Sequence, residues 1–371
     1  MRRIAFILFS IFAIPSFSQE TIVKEIRFDN ADRSYRLHLP PNFDPTENLS
    51  LVFNLHGFTS NALEQEVYSG MDAISDNERF LVCYPDGIDN AWNVGWAFGS
   101  TAEDVGFISA LIDELVNDYN VNPKKVYSCG MSNGGFMSYR LACELNDRIA
   151  AVASVTGSFV PEYLPLCNAG KAVPIFEIHG TADNVVPYEG VVGVATSIAD
   201  VIDYWTENNN CTIDFLEEEL ADSDPNDAST VTKFHYQDCD DDTEVLLYRI
   251  NNGGHTWPGS AINIGVTNQD INASQEIWDF FNRHSLEINT GNNDQLTSLN
   301  YKVFPNPVFN SLELNNWNGE VLNYKIYNTQ GAVVSNGLFE NNLNVSHLHA
   351  GIFLMKLESK LNSQVIKFIK N

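Results

Sequence analysis

The most informative stretch for the fold is Lys125-Val-Tyr-Ser-Cys-Gly-Met-Ser-Asn-Gly-Gly135. A helical pattern over Asn133–Leu145 overlaps its end. Its first five residues predict a buried strand, and Gly-x-Ser-x-Gly follows directly. A serine on a sharp turn between a strand and a helix has a strained backbone that exposes its hydroxyl. The flanking glycines are needed because side chains there would collide with neighbouring backbone. The stretch therefore predicts a nucleophile elbow with Ser132 as the nucleophile.

The pattern on both sides of this stretch predicts the fold class. Strand-like apolar runs recur, and they are Ile22–Phe28, Tyr35–Leu39, Leu51–Leu55, Phe80–Tyr84, Ile149–Val155, Ile175–Ile178 and Val245–Ile250. Apolar residues at helical spacing lie between or after them, over Asp104–Tyr119, Val192–Glu207 and Asn272–Arg283. Strand–helix alternation predicts an α/β fold of the α/β-hydrolase type, with a mostly parallel central sheet and helices on both faces. Antiparallel strands are expected at its N-terminal edge.

Two loops supply candidates for the base and acid that a serine nucleophile requires. His255 lies in the loop Asn251-Asn-Gly-Gly-His-Thr-Trp-Pro-Gly259, and Asp183 lies in His179-Gly-Thr-Ala-Asp183. Each loop follows a predicted strand, and the chain order Ser, Asp, His is the order of this fold. We predict that His255 is the general base and that Asp183 orients it.

The loop after the strand Leu51–Leu55 is where this fold supplies one oxyanion-hole N–H, and the residue after the nucleophile supplies the other. The backbone amides of Phe58 and Asn133 are therefore the predicted donors, with Thr59 as the alternative to Phe58.

Several aromatic and imidazole side chains near these loops have more than one interpretation. Trp92 and Trp96, together with Trp257, are candidates for an apolar wall that binds an acyl group or a sugar. Packing beneath a long loop is the alternative for Trp92 and Trp96. We expect His56 to shape its loop and His179 to be a packed, hydrogen-bonded structural residue, with neither acting as a base.

The first eighteen residues predict a secretory signal peptide. Met1-Arg-Arg3 is basic, residues 4–14 are almost wholly apolar, and Ser16-Phe-Ser18 offers a small-x-small cleavage site. The apolar run is shorter than the ~20 residues that a membrane-spanning helix needs, and no later stretch is long enough, so no stable membrane span is expected.

Export permits disulfide bonds, and the chain has 6 cysteines. Cys83 and Cys129 lie in predicted strands with a third strand between them, which separates them by more than the ~7 Å that a disulfide allows. They are expected to be buried thiols. The predicted disulfides are Cys143–Cys167 and Cys211–Cys239.

Composition excludes some classes of partner. The net charge of -27 repels phosphate backbones, so nucleic-acid binding is not expected. The acidic run that starts at Asp222 departs from a calcium loop, because its sixth position is Asp227 where that loop has glycine. No spacing of His and Cys suggests zinc or iron. We predict no metal and no cofactor.

The pattern changes towards the C-terminus. Residues 287–300 are polar and rich in turn formers, which predicts a linker. Residues 301–371 contain short alternating strands and no long helix, which predicts a small all-β sandwich domain. Residues 19–286 then form the larger domain.

The larger domain resembles the secreted polyhydroxybutyrate-depolymerase-like and feruloyl-esterase group of α/β-hydrolase esterases. The residues that carry this resemblance are Gly130-Met-Ser-Asn-Gly-Gly-Phe-Met-Ser-Tyr-Arg-Leu-Ala-Cys-Glu144, His179-Gly-Thr-Ala-Asp183 and Gly253-Gly-His-Thr-Trp-Pro-Gly259. Related feruloyl esterases have cysteines at similar positions, which supports the pairing above. The group includes both polyester and carbohydrate-ester hydrolases, so the resemblance leaves the substrate open.

The tail resembles the C-terminal sorting domain of the type IX secretion system. The residues that carry this resemblance are Val303-Phe-Pro-Asn-Pro-Val308, Tyr327-Asn-Thr-Gln-Gly331, Val345-Ser-His-Leu-His-Ala-Gly-Ile-Phe353 and Lys367-Phe-Ile-Lys370. The resemblance implies interaction with that machinery, passage across the outer membrane and removal of the tail. A carbohydrate-binding sandwich is the alternative.

Together these features predict a secreted or surface serine esterase that forms an acyl-enzyme. Feruloyl or acetyl esters on a polysaccharide are the preferred substrates, because export suits a polymer too large to import. That argument fits a polyhydroxyalkanoate equally, so a depolymerase is the first alternative. A catalytically inactive surface binding protein is the alternative from another class.

Overall fold

The computed structural model describes residues 20–212, 214–286, 301–315, 322–328, 332–339, 341–358 and 363–371. The predicted signal peptide (1–18) and linker (287–300) lie outside the described residues. The chain divides into two compact units, one that extends to Ile288 and one that begins at Asn289.

Among its described residues, the first unit contains one ten-stranded sheet and six α-helices. Its strands are β1 (Glu20–Phe28), β2 (Ala31–Leu39), β3 (Leu51–Leu55), β4 (Leu81–Pro85), β5 (Val126–Met131), β6 (Ala151–Val155), β7 (Ile175–Gly180), β8 (Phe215–Glu219), β9 (Thr230–Tyr236) and β10 (Val245–Asn251). Its helices are α1 (Ala62–Ser69), α2 (Met71–Glu78), α3 (Asp104–Tyr119), α4 (Asn133–Glu144), α5 (Ile198–Asn208) and α6 (Ala273–Phe281).

The strand order is β1-β2-β4-β3-β5-β6-β7-β10-β9-β8. The six central strands, from β4 to β10 in this order, pair in parallel, whereas β1 and β2 at one edge and β9 and β8 at the other pair antiparallel. The predicted α/β-hydrolase class and the antiparallel N-terminal edge are confirmed. Because the central strands are parallel, the loops that follow β3, β5, β7 and β10 meet at one edge of the sheet.

Helices cover both faces of this sheet, which explains why its central strands are apolar along their whole length. Leu51, Phe53 and Leu55 of β3 pack in the cluster that contains the buried residues of α3, α4 and α5. Val52 packs in the other cluster, with residues of α1, α2 and α6. The alternation of side chains along a strand thus places two hydrophobic cores on the sheet.

Helix α5 begins later than the sequence pattern predicted. The prediction of a helix from Val192 is wrong, because Val192 is 98% exposed and lies in a turn that includes Gly193 at φ +71°. The helix begins only after Ser197, whose side chain accepts a hydrogen bond from the backbone N–H of Asp200. A serine in that position satisfies one of the helix's free N–H groups, and the apolar residues before it belong to the preceding loop.

The disulfides are those predicted from the sequence, Cys143–Cys167 and Cys211–Cys239. Cys83 on β4 and Cys129 on β5 are buried free thiols. Strand β3 lies between β4 and β5, as the prediction required.

The second unit is a small β domain, as predicted. A three-stranded antiparallel sheet is built from β11 (Lys302–Phe304), β12 (Ser311–Asn315) and β15 (Asn342–Asn344). A four-stranded antiparallel sheet is built from β13 (Leu322–Tyr327), β14 (Val333–Phe339), β16 (Gly351–Glu358) and β17 (Ser363–Lys370). A separate hydrophobic cluster, which includes Leu312, Ile326 and Met355, forms its core. In the described part of the chain, no helix has the length and apolar character needed to cross a membrane.

Candidate active site

Ser132 is the single residue between the end of β5 and the start of α4, and its backbone is strained. Its φ and ψ are +54° and −121°, a conformation that non-glycine residues rarely adopt. Its N–H donates to the carbonyl oxygen of Val155, 2.8 Å away on the neighbouring strand. A Cβ on Gly134 would lie 2.1 Å from the carbonyl oxygen of Leu55, so glycine is required there. These features are those of the predicted elbow.

Asp183 and His255 are brought together although they are 72 residues apart in the chain. The Nδ1–H of His255 donates to Oδ2 of Asp183 over 2.7 Å, and the other carboxylate oxygen accepts from the backbone N–H groups of Val185 and Val186. The Asp183 side chain is fully buried. Burial alone would raise its pKa, but the hydrogen bond and charge of His255 outweigh burial, and the pKa of Asp183 is lowered.

Backbone hydrogen bonds fix the two loops that carry these residues against each other. The N–H of Thr181 donates to the carbonyl oxygen of Ile250, and that of Ala182 to Gly253, both over 2.9 Å. The first loop follows β7 and the second follows β10, which are adjacent parallel strands. The relative position of Asp183 and His255 is therefore set by rigid backbone.

The structure distinguishes Phe58 from Thr59, the two alternatives predicted for the backbone donor in the loop after β3. The N–H of Thr59 donates to the carbonyl oxygen of Asn90 over 2.8 Å and is therefore occupied. Among the described loop residues, no backbone acceptor is found for the N–H of Phe58. The buried side chain of Asn133 accepts from the backbone N–H of Trp92 and donates to its carbonyl oxygen, which fixes the residue after Ser132.

The two remaining histidines near these loops are buried and hydrogen-bonded. Nε2 of His56 accepts from the N–H of Gly87 over 2.9 Å, so the proton is on Nδ1, which donates to the carbonyl oxygen of Gly57. Burial lowers the pKa of His56, which keeps the ring neutral. His179 is fully buried and contacts Glu177 and the carbonyl oxygen of Val186.

The three tryptophans predicted to bind substrate lie away from the cavity surface. Trp92 and Trp257 are 0% exposed, and Trp96 is 9% exposed. The indole N–H of Trp92 donates to the carbonyl oxygen of His56, and that of Trp257 to the hydroxyl of Ser274. Trp96 packs beneath Phe58, with ring centroids 6.1 Å apart. They support the loops from below, which for Trp92 and Trp96 is the alternative interpretation given above.

Ser132 and His255 both line a cavity of about 1150 Å³. Most of its lining is apolar, and sequence analysis missed these residues: Leu63, Val67 and Tyr68 of α1, Val185, and Ile262, Ile264 and Val266 of the loop before α6. Leu63 and Val67 are about half exposed and are four residues apart on α1. That spacing was the available signal, because an apolar pair on the outer side of a short helix has no place in the core.

In the part of the chain that the structure describes, no group of three or more His, Cys, Asp or Glu residues is arranged to hold a metal ion. Carboxylates in and beside the acidic run that starts at Asp222 instead accept hydrogen bonds from backbone N–H groups. Asp227 accepts from the N–H groups of Ser229 and Gln269, and Asp270 accepts from those of Ser223 and Asp224.

Comparison with known protein families matches both parts of the chain. Residues 100–234 match the family described as Phospholipase/Carboxylesterase, and residues 302–371 match the secretion system C-terminal sorting domain. The second match confirms the prediction from the tail, and the protein is secreted or displayed at the cell surface.

Individual relatives are esterases. The chain is 30% identical over 200 residues to "Probable feruloyl esterase C" of Aspergillus flavus, a match that covers 52% of this chain and 67% of that protein. It is 28% identical over 270 residues to the bifunctional acetylxylan esterase/xylanase XynS20E of Neocallimastix patriciarum, covering 72% of this chain but only 36% of that protein.

The solved structure of an acetyl xylan esterase from Aspergillus awamori has the same fold, with a TM-score of 0.51 at 14% identity. The match covers 70% of this chain and 99% of that structure. On this evidence the chain belongs to the α/β-hydrolase family of carboxylic ester hydrolases that includes the feruloyl esterases, and it ends in a secretion-system sorting domain.

Proposed function

We propose that Ser132, His255 and Asp183 form the catalytic triad of this esterase and that the enzyme releases a bulky, apolar acyl group from a polysaccharide ester. The observation that carries the triad is the 2.7 Å hydrogen bond from His255 to Asp183, at a cavity that the strained Ser132 also lines. A serine, an oriented imidazole and a buried carboxylate in this arrangement suit nucleophilic attack on a carbonyl carbon.

The hydrogen bond to Asp183 determines the role of the imidazole. Because Nδ1 of His255 donates to Asp183, Nε2 carries the lone pair and can accept the hydroxyl proton of Ser132. The serine oxygen then bonds the ester carbonyl carbon. The tetrahedral intermediate expels the alkoxide of the substrate, which takes this proton from Nε2 and leaves as the alcohol. Water, deprotonated by the same nitrogen, attacks the acyl-enzyme, and the acid leaves as Ser132 regains its proton.

Backbone N–H groups stabilise the negative charge on the carbonyl oxygen in this scheme. The Phe58 amide is the donor we assign on the β3 side, because the Thr59 amide is already bonded to Asn90. Asn133 is the first residue of α4, where the N–H has no acceptor within the helix, and its side chain is held by Trp92. Two fixed donors of this kind are the usual composition of an oxyanion hole.

The size and lining of the cavity favour a large acyl group over acetyl. A cavity of about 1150 Å³ with a mostly apolar lining would leave an acetyl group in contact with one side only. Phe58, Leu63 and Val67 line it and are each at least 43% exposed, so they offer apolar surface that a cinnamic-type ring would cover. The related proteins named as feruloyl esterases support the same choice.

The test is product release by the purified full-length protein from methyl ferulate, feruloylated xylan, acetylated xylan, a polyhydroxybutyrate suspension and a short-chain nitrophenyl ester. We expect turnover of both feruloyl esters with kcat/KM well above that for acetylated xylan, and its loss in Ser132→Ala. Preference for acetylated xylan would overturn the acyl-group assignment, and preference for the polyester would favour a depolymerase. Wild-type rates in folded Ser132→Ala would overturn the triad.

A further inference from the structure

A second buried carboxylate–histidine pair lies behind the proposed triad. Glu177 and His179 are both on β7, both are fully buried, and Nδ1 of His179 lies 2.8 Å from Oε1 of Glu177. Nε2 of His179 lies 2.8 Å from the carbonyl oxygen of Val186 and 3.5 Å from Oδ2 of Asp183. That Asp183 oxygen is the one that accepts from His255.

The hydrogen-bond partners of the His179 ring constrain its protonation state. A carbonyl oxygen can only accept, so Nε2 of His179 carries a proton directed at Val186. The other nitrogen faces a carboxylate oxygen of Glu177, whose second oxygen already accepts the hydroxyl proton of Tyr139 over 2.6 Å. Burial raises the pKa of Glu177, against the hydrogen bonds from His179 and Tyr139. When Glu177 is ionised, it takes a proton from Nδ1 as well, and the ring is then an imidazolium. Burial alone would lower the pKa of His179, but the hydrogen bond and charge of Glu177 outweigh burial and raise it.

The ring also fixes the turn that presents Asp183. Val186 accepts from His179 through its carbonyl oxygen and donates to Oδ1 of Asp183 through its N–H. The hydrogen bond from Tyr139 links Glu177 to α4, the helix that begins directly after Ser132. A continuous chain of contacts thus runs from the nucleophile helix through Glu177 and His179 to the triad acid.

We propose that His179 is a positioning residue that acts through Asp183, as a buried cation that keeps this carboxylate ionised and aligned with His255. Two carboxylates, Glu177 and Asp183, face the ring on its two sides, and the opposite charge at 3.5 Å offsets the cost of burying Asp183 ionised. This role rests on the proposed triad, but it adds a residue that the triad itself does not include.

The remaining groups around the ring leave this assignment intact. Tyr188 contacts it edge-on, with ring centroids 5.8 Å apart. Arg249, which is in register with His179 on β10, directs its guanidinium to Asn251 and Thr232 and stacks over Phe234. The carboxylates that contact the ring are Glu177 and Asp183, and His255 is reached only through Asp183.

The first test reads protonation directly in the full-length protein. Histidine ring ¹⁵N NMR, with the His179 ring assigned by correlation to its own backbone amide in the wild-type protein, should show both nitrogens protonated from pH 6 to 9. The same state should be found in Ser132→Ala, because it does not depend on catalysis. A ring with a single protonated nitrogen at pH 7 would overturn the proposal even if His179→Gln failed to fold, since the wild-type spectrum is sufficient.

The second test is kinetic. In His179→Gln we expect kcat to fall about tenfold, by slight misalignment of the triad, with KM within about twofold of wild type. Loss of the cation should also move the acid limb of the kcat/KM–pH profile to higher pH, because a positive charge near the general base disfavours its protonation. The double variant Glu177→Gln/His179→Gln also replaces the buried carboxylate with a neutral amide. We expect its stability to recover in part relative to His179→Gln, while its acid limb stays at higher pH than that of the wild type.

The matched control is His38→Gln. His38 is also buried and paired with carboxylates, Asp72 and Asp76, but it lies on β2 and does not line the cavity. We expect it to lower stability and leave the acid limb in place. An unchanged limb in folded His179→Gln, or a limb that returns with stability in the double variant, would reduce His179 to a structural role. Loss of turnover in Ser132→Ala is read separately and tests the triad alone.

Discussion

Strand β10 has a carboxylate–histidine cluster at each end, and the cluster after its last residue lines the cavity described above. Before its first residue, Glu244 accepts hydrogen bonds from Arg283 and His284 and pairs with His235. After its last residue, His255 donates to Asp183 beside Ser132. In both clusters burial would raise the pKa of the carboxylate, and hydrogen bonds to positively charged or protonated partners outweigh burial and lower it.

The difference lies in how the carboxylate is held. Both oxygens of Glu244 are bound by side chains, so the cluster connects β9, β10 and the segment after α6. Asp183 has one oxygen bound by backbone N–H groups and the other by a histidine whose ring lines the cavity. The Glu244 cluster therefore joins elements of the fold. The Asp183–His255 pair has the geometry that we propose for a reaction centre.

The largest expected effect compares the two carboxylates directly. Asp183→Asn keeps the shape of the side chain but replaces a carboxylate oxygen, which accepts a hydrogen bond, with an amide group that can donate one. This favours the wrong tautomer of His255, so we expect kcat to fall about 10⁴-fold. Glu244→Gln should leave kcat within about twofold of wild type, because it lies at the far end of the strand. Steady-state kinetics on methyl ferulate measures both. A large loss of kcat in Glu244→Gln would show that the two ends are coupled.

The next effect tests how rigidly the cavity end is held. A Cβ on Gly180 would lie 2.3 Å from the carbonyl oxygen of Gly253, in the loop that carries His255. Gly180→Ala should push that loop outward and lower kcat about 10²-fold, since displacements of ~1 Å have effects of this size. Gly351→Ala is the control for a glycine-to-alanine change as such, because the nearest atom to its Cβ position lies 3.9 Å away and its φ is outside the left-handed region. Equal kcat in Gly180→Ala and wild type would mean that the loop position is not critical.

The Glu244 cluster, before the first residue of β10, should contribute more to stability than to catalysis. Glu244→Gln should lower the free energy of unfolding by about 2–3 kcal/mol at pH 7, because it leaves its basic partners unpaired. The pKa of Glu244 is lowered in the folded state, so its contribution is complete above the unfolded pKa of about 4.5 and is lost as pH falls further. Urea unfolding of both proteins should therefore converge at acidic pH. A constant difference between pH 3 and 8 would contradict this.

The smallest effect concerns a third carboxylate, for which burial is not fully compensated. Burial raises the pKa of Asp72 to about 7, against hydrogen bonding from Tyr84 and the charge of His38. Because the folded state then binds more protons than the unfolded state, stability should fall as pH rises from about 4 to 7. Asp72→Asn keeps an oxygen for Tyr84 and should remove this dependence.

Chemical unfolding at pH 5 and pH 8 checks the prediction for Asp72. We expect Asp72→Asn to gain about 1–2 kcal/mol relative to wild type between these pH values. The same relative stability at both values would show that Asp72 is ionised throughout, as Asp183 and Glu244 are.

Sequence analysis predicted the features that local chemistry dictates. The elbow at Ser132 follows from glycines between a strand and a helix, and the free thiols of Cys83 and Cys129 follow from the order of their strands. It left open whether Trp92 faces the cavity or packs beneath its loop, and it did not predict the burial of Trp257, because an indole beside a site can face either the cavity or the core. It also missed Leu63 and Val67, because no helix was predicted over Ala62–Ser69, where their four-residue spacing was the available signal.

The α/β-hydrolase fold, a small all-β C-terminal domain and the residue types of the site could be predicted from the sequence alone, because strand periodicity and turn sterics act over a few residues. The sorting domain was predicted from a family resemblance. The pairing of Asp183 with His255 was also predicted, but its geometry, the position of His179 behind Asp183 and the apolar side chains that line the cavity are seen only in the folded structure. The physical reason is distance along the chain. The Asp183–His255 contact and the cavity lining join loops and helices far apart in sequence, which parallel strands bring to one edge of the sheet. His179 lies only four residues from Asp183, and their contact depends on the turn between them.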